Sequence, residues 1–330
     1  MLSEAKHLSV NTGLITTLVP YRAESPCVTF WGNTTLRCRG LLLRRLLVEQ
    51  AQRSRTAELT AVMRALHQSM DDDPKILADP IAPRLIDASR GDQLSLAPLL
   101  SHPFAKQWRA GFALRCKYAE DCLVEGAARG IGQYVILGAG LDTFAYRQPP
   151  WASSLRIYEV DHPATQQWKR DRLASAAIAI PSNLTFVPID FEKASVPEVL
   201  RAGGFSFGAA TLCSWMGVAQ YLGPDALDGV FRFVLSLPSL SEIVFSFILP
   251  QEAVSGIEAD AMALAARRAA EAGEPWLSRF RADELEAKLR SMGFSRVIHL
   301  TPQEARERYF RNRRDGLKER YGEQLIRAIV

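Results

Sequence analysis

The segment from residue 133 to residue 161 restricts the possible folds more than any other part of this chain. It opens with Gln133–Leu137, a short apolar and β-branched run that is typical of a buried strand. The chain then turns through Gly138 and Gly140, and a second apolar run follows at Leu155–Asp161. A strand, a tight glycine turn, a helix start and a second strand that ends in carboxylates form the first half of a nucleotide-binding βαβ unit.

Strand-like and helical segments continue to alternate along the rest of the chain. Helical spacing of apolar residues predicts helices at 56–67, 105–129, 163–173, 225–237, 252–275 and 283–292. Apolar runs predict further strands at 184–191, 209–215, 243–249 and 295–300, and a terminal helical stretch begins at residue 301. This alternation predicts an α/β fold with a doubly wound, mostly parallel sheet.

The residues after the glycine turn indicate which nucleotide the unit binds. The dinucleotide fingerprint has a third glycine three residues after the second, where the amides of a helix N-terminus hold a pyrophosphate. Here Thr143 stands at that position, directly after Asp142. A carboxylate next to a pyrophosphate is unfavourable, because the two anions repel each other. A nucleoside without phosphates is therefore favoured, and S-adenosyl-L-methionine fits this description. Gly138, Gly140 and Asp142 are then candidate residues of its binding site.

Three side chains at the ends of predicted strands are candidate ligands of such a nucleoside. Residues two apart in a strand point to the same face, so Glu159 and Asp161 lie on one side at successive depths. Asp161 is the outer of the two and should reach the ribose hydroxyls, while Glu159 should support the glycine turn. Ligands of open α/β sheets lie at the carboxyl ends of the strands. Ser214, near the end of the fourth predicted strand, should therefore line the floor of the site.

The quoted residues also carry a resemblance to a known family. The runs Val135–Arg147 and Tyr158–Gln167 resemble the leucine carboxyl methyltransferase family, and the resemblance extends over roughly residues 54 to 300. This is a family of class I S-adenosylmethionine-dependent O-methyltransferases. The resemblance implies a Rossmann-like sheet of seven strands with an N-terminal helical segment and a helical insert around residues 252–275.

The resemblance also implies roles for individual residues. Arg115 matches the arginine that holds the carboxylate of the methionine moiety, which suits the bidentate fork of a guanidinium. Asp190 and Phe191 match the pair that contacts the adenine. From the residues alone, Arg115 could equally lie on the exposed face of an amphipathic helix, and Asp190 could cap the following helix. The family carries a glutamate where this chain has Met216, which leaves one cofactor contact without a counterpart.

These observations predict a methyltransferase that acts on a carboxylate or hydroxyl of a small molecule or, as a less favoured acceptor, of a protein C-terminus. A carboxylate acceptor needs no general base, whereas a hydroxyl requires one, and the sequence indicates no catalytic residue. Two alternatives stay open at this point. One is an S-adenosylmethionine-binding module without activity, and the other is an NAD-dependent dehydrogenase that uses the same βαβ unit.

Composition divides the chain into residues 1–52 and residues 53–330. Residues 1–55 hold eight of the 40 basic and three of the 36 acidic side chains, so the remainder is neutral to within one charge. This distribution argues against a nucleic-acid partner. The aperiodic first part is expected to be a disordered or non-native extension, and the second part to be the methyltransferase domain.

No apolar run is long enough for a membrane span, and the five scattered cysteines suggest a cytoplasmic protein without a metal site. The oligomeric state is not indicated.

Overall fold

The computed structural model describes residues 54–86, 99–190 and 194–330. The predicted extension at residues 1–52 and the adenine-pair residue Phe191 lie outside the described residues. The helices are α1 Arg55–Met70, α2 Ala82–Leu85, α3 Ala105–Ala127, α4 Pro163–Ser175, α5 Val196–Ala202, α6 Pro224–Leu235, α7 Gly256–Glu271, α8 Ala282–Met292 and α9 Pro302–Ala305. The strands are β1 Gln133–Leu137, β2 Arg156–Asp161, β3 Leu184–Pro188, β4 Thr211–Trp215, β5 Glu242–Ile248, β6 Arg296–Leu300 and β7 Glu323–Ile329.

The strands form one seven-stranded sheet in the order β3-β2-β1-β4-β5-β7-β6. The first five strands in this order are parallel, and β7 runs antiparallel to both of its neighbours. The prediction of a doubly wound, mostly parallel α/β sheet is therefore confirmed. The strand order reverses between β1 and β4, and this is the point at which an open α/β sheet forms a crevice beyond its strand ends.

Helices cover both faces of the sheet. Alternate residues of β1 belong to different hydrophobic clusters: Val135 and Leu137 pack with Phe231 of α6, whereas Tyr134 and Ile136 pack with Leu114 of α3. Successive side chains of a strand point to opposite faces. A strand that is covered on both faces is apolar at most positions, which explains why β1 and β5 are near-continuous apolar runs.

The connection from β1 to β2 differs from the prediction. Instead of an α-helix, the chain forms two short 3₁₀ turns, Phe144–Tyr146 and Pro150–Ser154. The carboxylate of Asp142 accepts the amide of Phe144 at 2.8 Å and so closes a local turn in place of the first helical turn. The predicted helix start is therefore wrong. The turn therefore lacks the helix N-terminus that would bind the pyrophosphate of a dinucleotide.

The C-terminal region also differs from the prediction of a terminal helical stretch. The α-helix there is the short α9, which is followed by the π-helical turn Arg306–Phe310. The chain then enters the sheet as β7, between β5 and β6. This placement brings the start of β7 beside the carboxyl end of β5, where Glu323 pairs with Ile248.

Among the described helices, none is both long and apolar enough to cross a membrane.

Candidate functional site

A cavity of about 640 Å³ opens at the carboxyl edge of the sheet. A volume of this size is typical of ligand pockets. Its walls come from α1, α3, the ends of β1, β2 and β4, the segment 273–277 and the start of β7. The predicted site residues among its lining are Arg115, Gly138, Gly140, Asp142, Asp161 and Ser214. The structure thus brings six of the nine predicted residues together around one space.

The glycine turn after β1 forms the floor of this cavity. Gly138 and Gly140 have φ angles of 64° and 48°, in the left-handed region that glycine adopts without strain. A side chain at Gly138 would place its Cβ 2.5 Å from Val218. The amides of Gly138 and Ala139 donate to the carbonyl of Val160 at 2.8 and 3.1 Å, which fixes the turn against the end of β2.

Asp161 lies at the cavity and braces the same turn. One carboxylate oxygen accepts the amide of Gly140, and the other accepts the amide of His162 at 2.6 Å. Burial raises the pKa of Asp161 above its ordinary value, although these two amide donors act in the opposite direction. A carboxylate has about four acceptor sites, so Asp161 keeps capacity for a ligand's hydroxyls.

Glu159 does not line the cavity. Its side chain is fully buried one step deeper, where Oε2 accepts Lys169 Nζ at 2.6 Å and the hydroxyl of Tyr146 at 3.3 Å. The expectation that Glu159 supports the glycine turn is therefore wrong. Asp161 already stands at the height of the turn, and Lys169 of α4 holds the Glu159 carboxylate away from it.

The buried Glu159 makes the stability of the protein depend on pH. Burial raises its pKa from 4.5 to about 7, although the ammonium of Lys169 acts in the opposite direction. Between these two values the folded state holds a proton that the unfolded state has released, so stability falls as the pH rises. We expect the stability difference between wild type and Glu159→Gln to fall by on the order of 2 kcal/mol from pH 4.5 to pH 7.5. Urea unfolding of both proteins across this range measures it, and a constant difference would contradict the assignment.

Arg115 projects from α3 into the cavity wall. Its side chain is buried, with Nη1 3.0 Å from Glu323 Oε1 and its guanidinium 4.6 Å from the ring centre of Phe112. The alternative of an exposed arginine on an amphipathic helix is therefore wrong. Trp108, Phe112 and Cys116 follow the same helical spacing and line the cavity together with Arg115.

The remaining predicted residues occupy different positions. Ser214 is buried near the end of β4 and lines the cavity, as does the half-buried Asp142. Asp190 follows β3 and does not belong to the described cavity lining. Its carbonyl accepts the amide of Ala194, while the helix α5 begins in a capping box formed by Ser195. The alternative that Asp190 caps this helix is therefore not what the structure shows.

The sequence patterns did not indicate several residues of the cavity wall. Thr56 of α1 donates its hydroxyl to Glu274 Oε2 at 2.7 Å, which joins two segments that are 218 residues apart. Trp276, Arg320 and Glu323 also line the cavity. Each belongs to a segment that reads as helix end, loop or strand, and no local spacing marks these residues as members of a site.

Comparison with known proteins agrees with this geometry. The family model described as leucine carboxyl methyltransferase matches residues 57–235. YktD of Bacillus subtilis is 34% identical over 286 residues, which cover 80% of this chain and 93% of YktD. Rv1729c of Mycobacterium tuberculosis is 33% identical over 199 residues, which cover 57% of this chain and 62% of that protein. The names of both describe them provisionally as S-adenosyl-L-methionine-dependent methyltransferases.

The fold has a counterpart among solved structures. The crystal structure of a DUF574 family protein from Streptomyces avermitilis superposes with a TM-score of 0.56 and covers 85% of this chain and 99% of its own. The two sequences are 17% identical, so this likeness concerns the fold alone. The family match over residues 57–235 and the 34% identity to YktD, which is covered over 93% of its length, show that the chain belongs to the leucine carboxyl methyltransferase family of class I S-adenosylmethionine-dependent methyltransferases.

Proposed function

We propose that this protein transfers the methyl group of S-adenosyl-L-methionine to an oxygen of a small molecule, either a carboxylate or a hydroxyl. The observation that carries the proposal is the convergence of Gly138, Asp161 and Arg115 on one cavity. The glycine turn lets the nucleoside approach the backbone closely. The carboxylate of Asp161 has acceptor capacity left for the ribose hydroxyls, and the buried guanidinium of Arg115 suits the amino-acid carboxylate of this cosubstrate.

Each residue would hold a different part of the cosubstrate. Asp161 would accept the ribose hydroxyls, and Arg115 would bind the methionine carboxylate. Ser214 and Asp142 would contact the cosubstrate from the floor of the cavity. Asp190 and Phe191 remain our proposal for the adenine end. Glu159 would contribute only indirectly, since its carboxylate bonds Lys169 and lies outside the cavity.

When bound, the sulfonium of the cosubstrate supplies an activated methyl group. The protein then has to align the acceptor oxygen and exclude water. The bond between Thr56 and Glu274 joins the two walls of the cavity and favours both tasks. The histidine in the described lining, His162, accepts the amide of Ala164 at 3.2 Å and so caps α4. When Nδ1 accepts this bond, the neutral ring carries its hydrogen on Nε2 and offers no free basic nitrogen. The site therefore favours a carboxylate acceptor, which needs no general base.

Replacement of Arg115 tests the proposed contact to the methionine carboxylate. We expect Arg115→Ala to weaken S-adenosylmethionine and S-adenosylhomocysteine alike by about 1.5–3 kcal/mol, the usual worth of a hydrogen bond to a charged group. 5′-Methylthioadenosine lacks this carboxylate and should bind nearly as it does to wild type. Calorimetric titration of the three ligands measures the effect. Equal losses for all three would mean that the substitution disturbed α3 instead.

The acceptor chemistry can be tested by following the methyl label. Purified protein is incubated with S-adenosylmethionine labelled in its methyl group and with a low-molecular-mass cell extract. Mild alkali releases the label as methanol from a methyl ester and leaves a methyl ether intact. We expect label in one of these two forms with wild type and much less of it with Asp161→Ala. Label found only on nitrogen or sulfur, or no transfer at all, would contradict the proposal.

A further inference from the structure

A second arginine, Arg320, lies in the cavity wall, and not all of its hydrogen-bond donors have a partner among the described residues. It precedes β7, its side chain is 5% exposed, and Nη1 pairs with Glu323. Its Nε atom is buried and has no hydrogen-bond partner among the described residues. A buried donor without a partner is costly, so native proteins rarely leave one unless a ligand or water completes it.

The helix α3 makes room for this side chain. Gly111 lies in the middle of α3, where glycine costs about 0.5–1 kcal/mol relative to alanine. A Cβ at Gly111 would lie 2.3 Å from Cδ of Arg320, so no larger residue fits while Arg320 holds this position. The backbone beside Arg320 is fixed as well, because Glu258 of α7 accepts the amides of Tyr321 and Gly322 at 2.9 and 2.8 Å. Arg320 is thus placed and held from two sides.

The local charges leave one positive charge in excess. Arg115 and Arg320 both pair with Glu323, and their guanidiniums lie 4.6 and 5.8 Å from the ring centre of Phe112. Burial alone would raise the pKa of Glu323, but the two guanidiniums hold it below its ordinary value. The amino-acid moiety of the cosubstrate carries one carboxylate and one ammonium, so its binding leaves this excess unchanged. Two cations and one anion in a largely dry wall then favour the binding of an anionic acceptor.

The position of Arg320 separates it from the proposed nucleoside contacts. Asp142 lies in the turn that follows β1 and Asp161 ends β2, whereas Arg320 precedes β7 and Glu323 begins it. In the sheet order, β7 is separated from β1 by β4 and β5. Aromatic side chains of the lining, Trp108 and Phe112, lie on the helix α3 that Arg320 crosses.

We propose that Arg320 determines acceptor specificity by binding an anionic group of an acceptor with an aromatic or aliphatic body. The inference rests on the proposed methyl transfer and names the substrate class of the same cavity. The two Nη groups of its planar guanidinium form a fork that matches the two oxygens of a carboxylate. Glu323 accepts Arg115 at Oε1 and Arg320 at Oε2, so each guanidinium keeps further donors for a ligand.

The test uses the full chain saturated with S-adenosylhomocysteine. Benzoate, phenylacetate, hexanoate and their primary amides are titrated into wild type, Arg320→Gln, Arg320→Lys and the control Arg311→Gln, which replaces an exposed arginine. We expect at least one acid to bind wild type and Arg311→Gln equally, and to bind Arg320→Gln at least tenfold more weakly. Arg320→Lys should be intermediate, since it keeps the charge and loses the fork. The amides should bind weakly to all four proteins.

Two readouts separate the possible outcomes. S-adenosylhomocysteine affinity should change by less than threefold in Arg320→Gln. The thermal unfolding curve of this variant should show that it is folded. If the variant loses S-adenosylhomocysteine, Arg320 serves the methionine carboxylate and the inference is overturned. It is also overturned if no acid binds, or if acids bind Arg320→Gln as tightly as wild type. Failure of wild type to bind S-adenosylhomocysteine would instead contradict the proposed function itself.

Discussion

Asp161→Ala is expected to weaken S-adenosylhomocysteine binding by about 2–4 kcal/mol, or roughly 30- to 1000-fold. The wild-type carboxylate would accept both ribose hydroxyls, and each hydrogen bond to a charged group is stronger than a neutral one. The same side chain accepts the amides of Gly140 and His162. Its loss therefore also removes these two hydrogen bonds, and we expect the free energy of unfolding to fall by about 1 kcal/mol.

Calorimetric titration and melting curves distinguish these two effects. Asp161→Asn keeps the shape and one acceptor oxygen, so it should lose less affinity than Asp161→Ala. The matched control is Asp171→Ala, which replaces an exposed aspartate of α4 and should bind as wild type. Binding by Asp161→Ala within about threefold of wild type, less than 1 kcal/mol, would refute the ribose assignment. Loss of binding in Glu159→Gln with an intact fold would show that the two carboxylates exchange roles.

Lys169→Met is expected to destabilise the fold by about 1.5–3 kcal/mol at pH 7.5, the usual worth of a hydrogen bond to a charged group, because Glu159 loses its cation and has to take up a proton to remain buried. Lys169 and Glu159 have side chains that are 1% and 0% exposed, and the Lys169 ammonium also lies 5.3 Å from the ring centre of Tyr146. The methionine keeps most of the volume, so the loss reports the charge and not a cavity.

The double variant Lys169→Met/Glu159→Gln measures the interaction energy between Lys169 and Glu159. Replacing the carboxyl group that has to take up a proton should recover much of the lost stability. The stability deficit of Lys169→Met alone should shrink toward pH 5, where Glu159 is protonated in wild type as well. Urea unfolding of the four proteins of this cycle at both pH values measures the coupling. A deficit that is equal at both pH values and unchanged in the double variant would mean that packing, not charge, holds Lys169.

The part of the fold that the sequence predicts best is local. Gln133–Leu137, the glycine turn and Leu155–Asp161 carry their strand and turn signals within 29 residues, and all three appear in the structure. The helix that was expected between them does not form, because Asp142 hydrogen-bonds the amide of Phe144. A side chain that competes with the helical backbone looks the same in the sequence as one that caps a helix.

The strand β7 shows why the C-terminal region was harder to predict. Its residues Glu323–Ile329 mix three charged or amide side chains into an apolar run, and the segment before it was expected to be helical. Arg327 is buried in the middle of this strand because Glu242 of β5 accepts two of its donors, at 2.5 and 3.0 Å. The partner lies 85 residues away, so no local pattern shows that this arginine belongs to a core.

In the candidate site, too, locally encoded residues could be predicted, and contacts between distant segments could not. Residues at strand ends could be named from the sequence, since topology places the ends of β1, β2 and β4 at one edge. Contacts between distant segments could not. Arg115 and Glu323 are 208 residues apart, and Lys169 holds Glu159 from a different element. The part of the cavity wall that contains Thr56, Glu274 and Glu323 consists of such contacts, so the sequence does not indicate the methyl acceptor.

The most direct test of the account is titration of the purified full chain with S-adenosylhomocysteine and, in parallel, with NAD. The site predicts one molecule of S-adenosylhomocysteine bound per chain, with affinity that falls at least 30-fold in Asp161→Ala, and no measurable binding of NAD. Binding of NAD without S-adenosylhomocysteine, or binding of neither ligand by a folded protein, would contradict it.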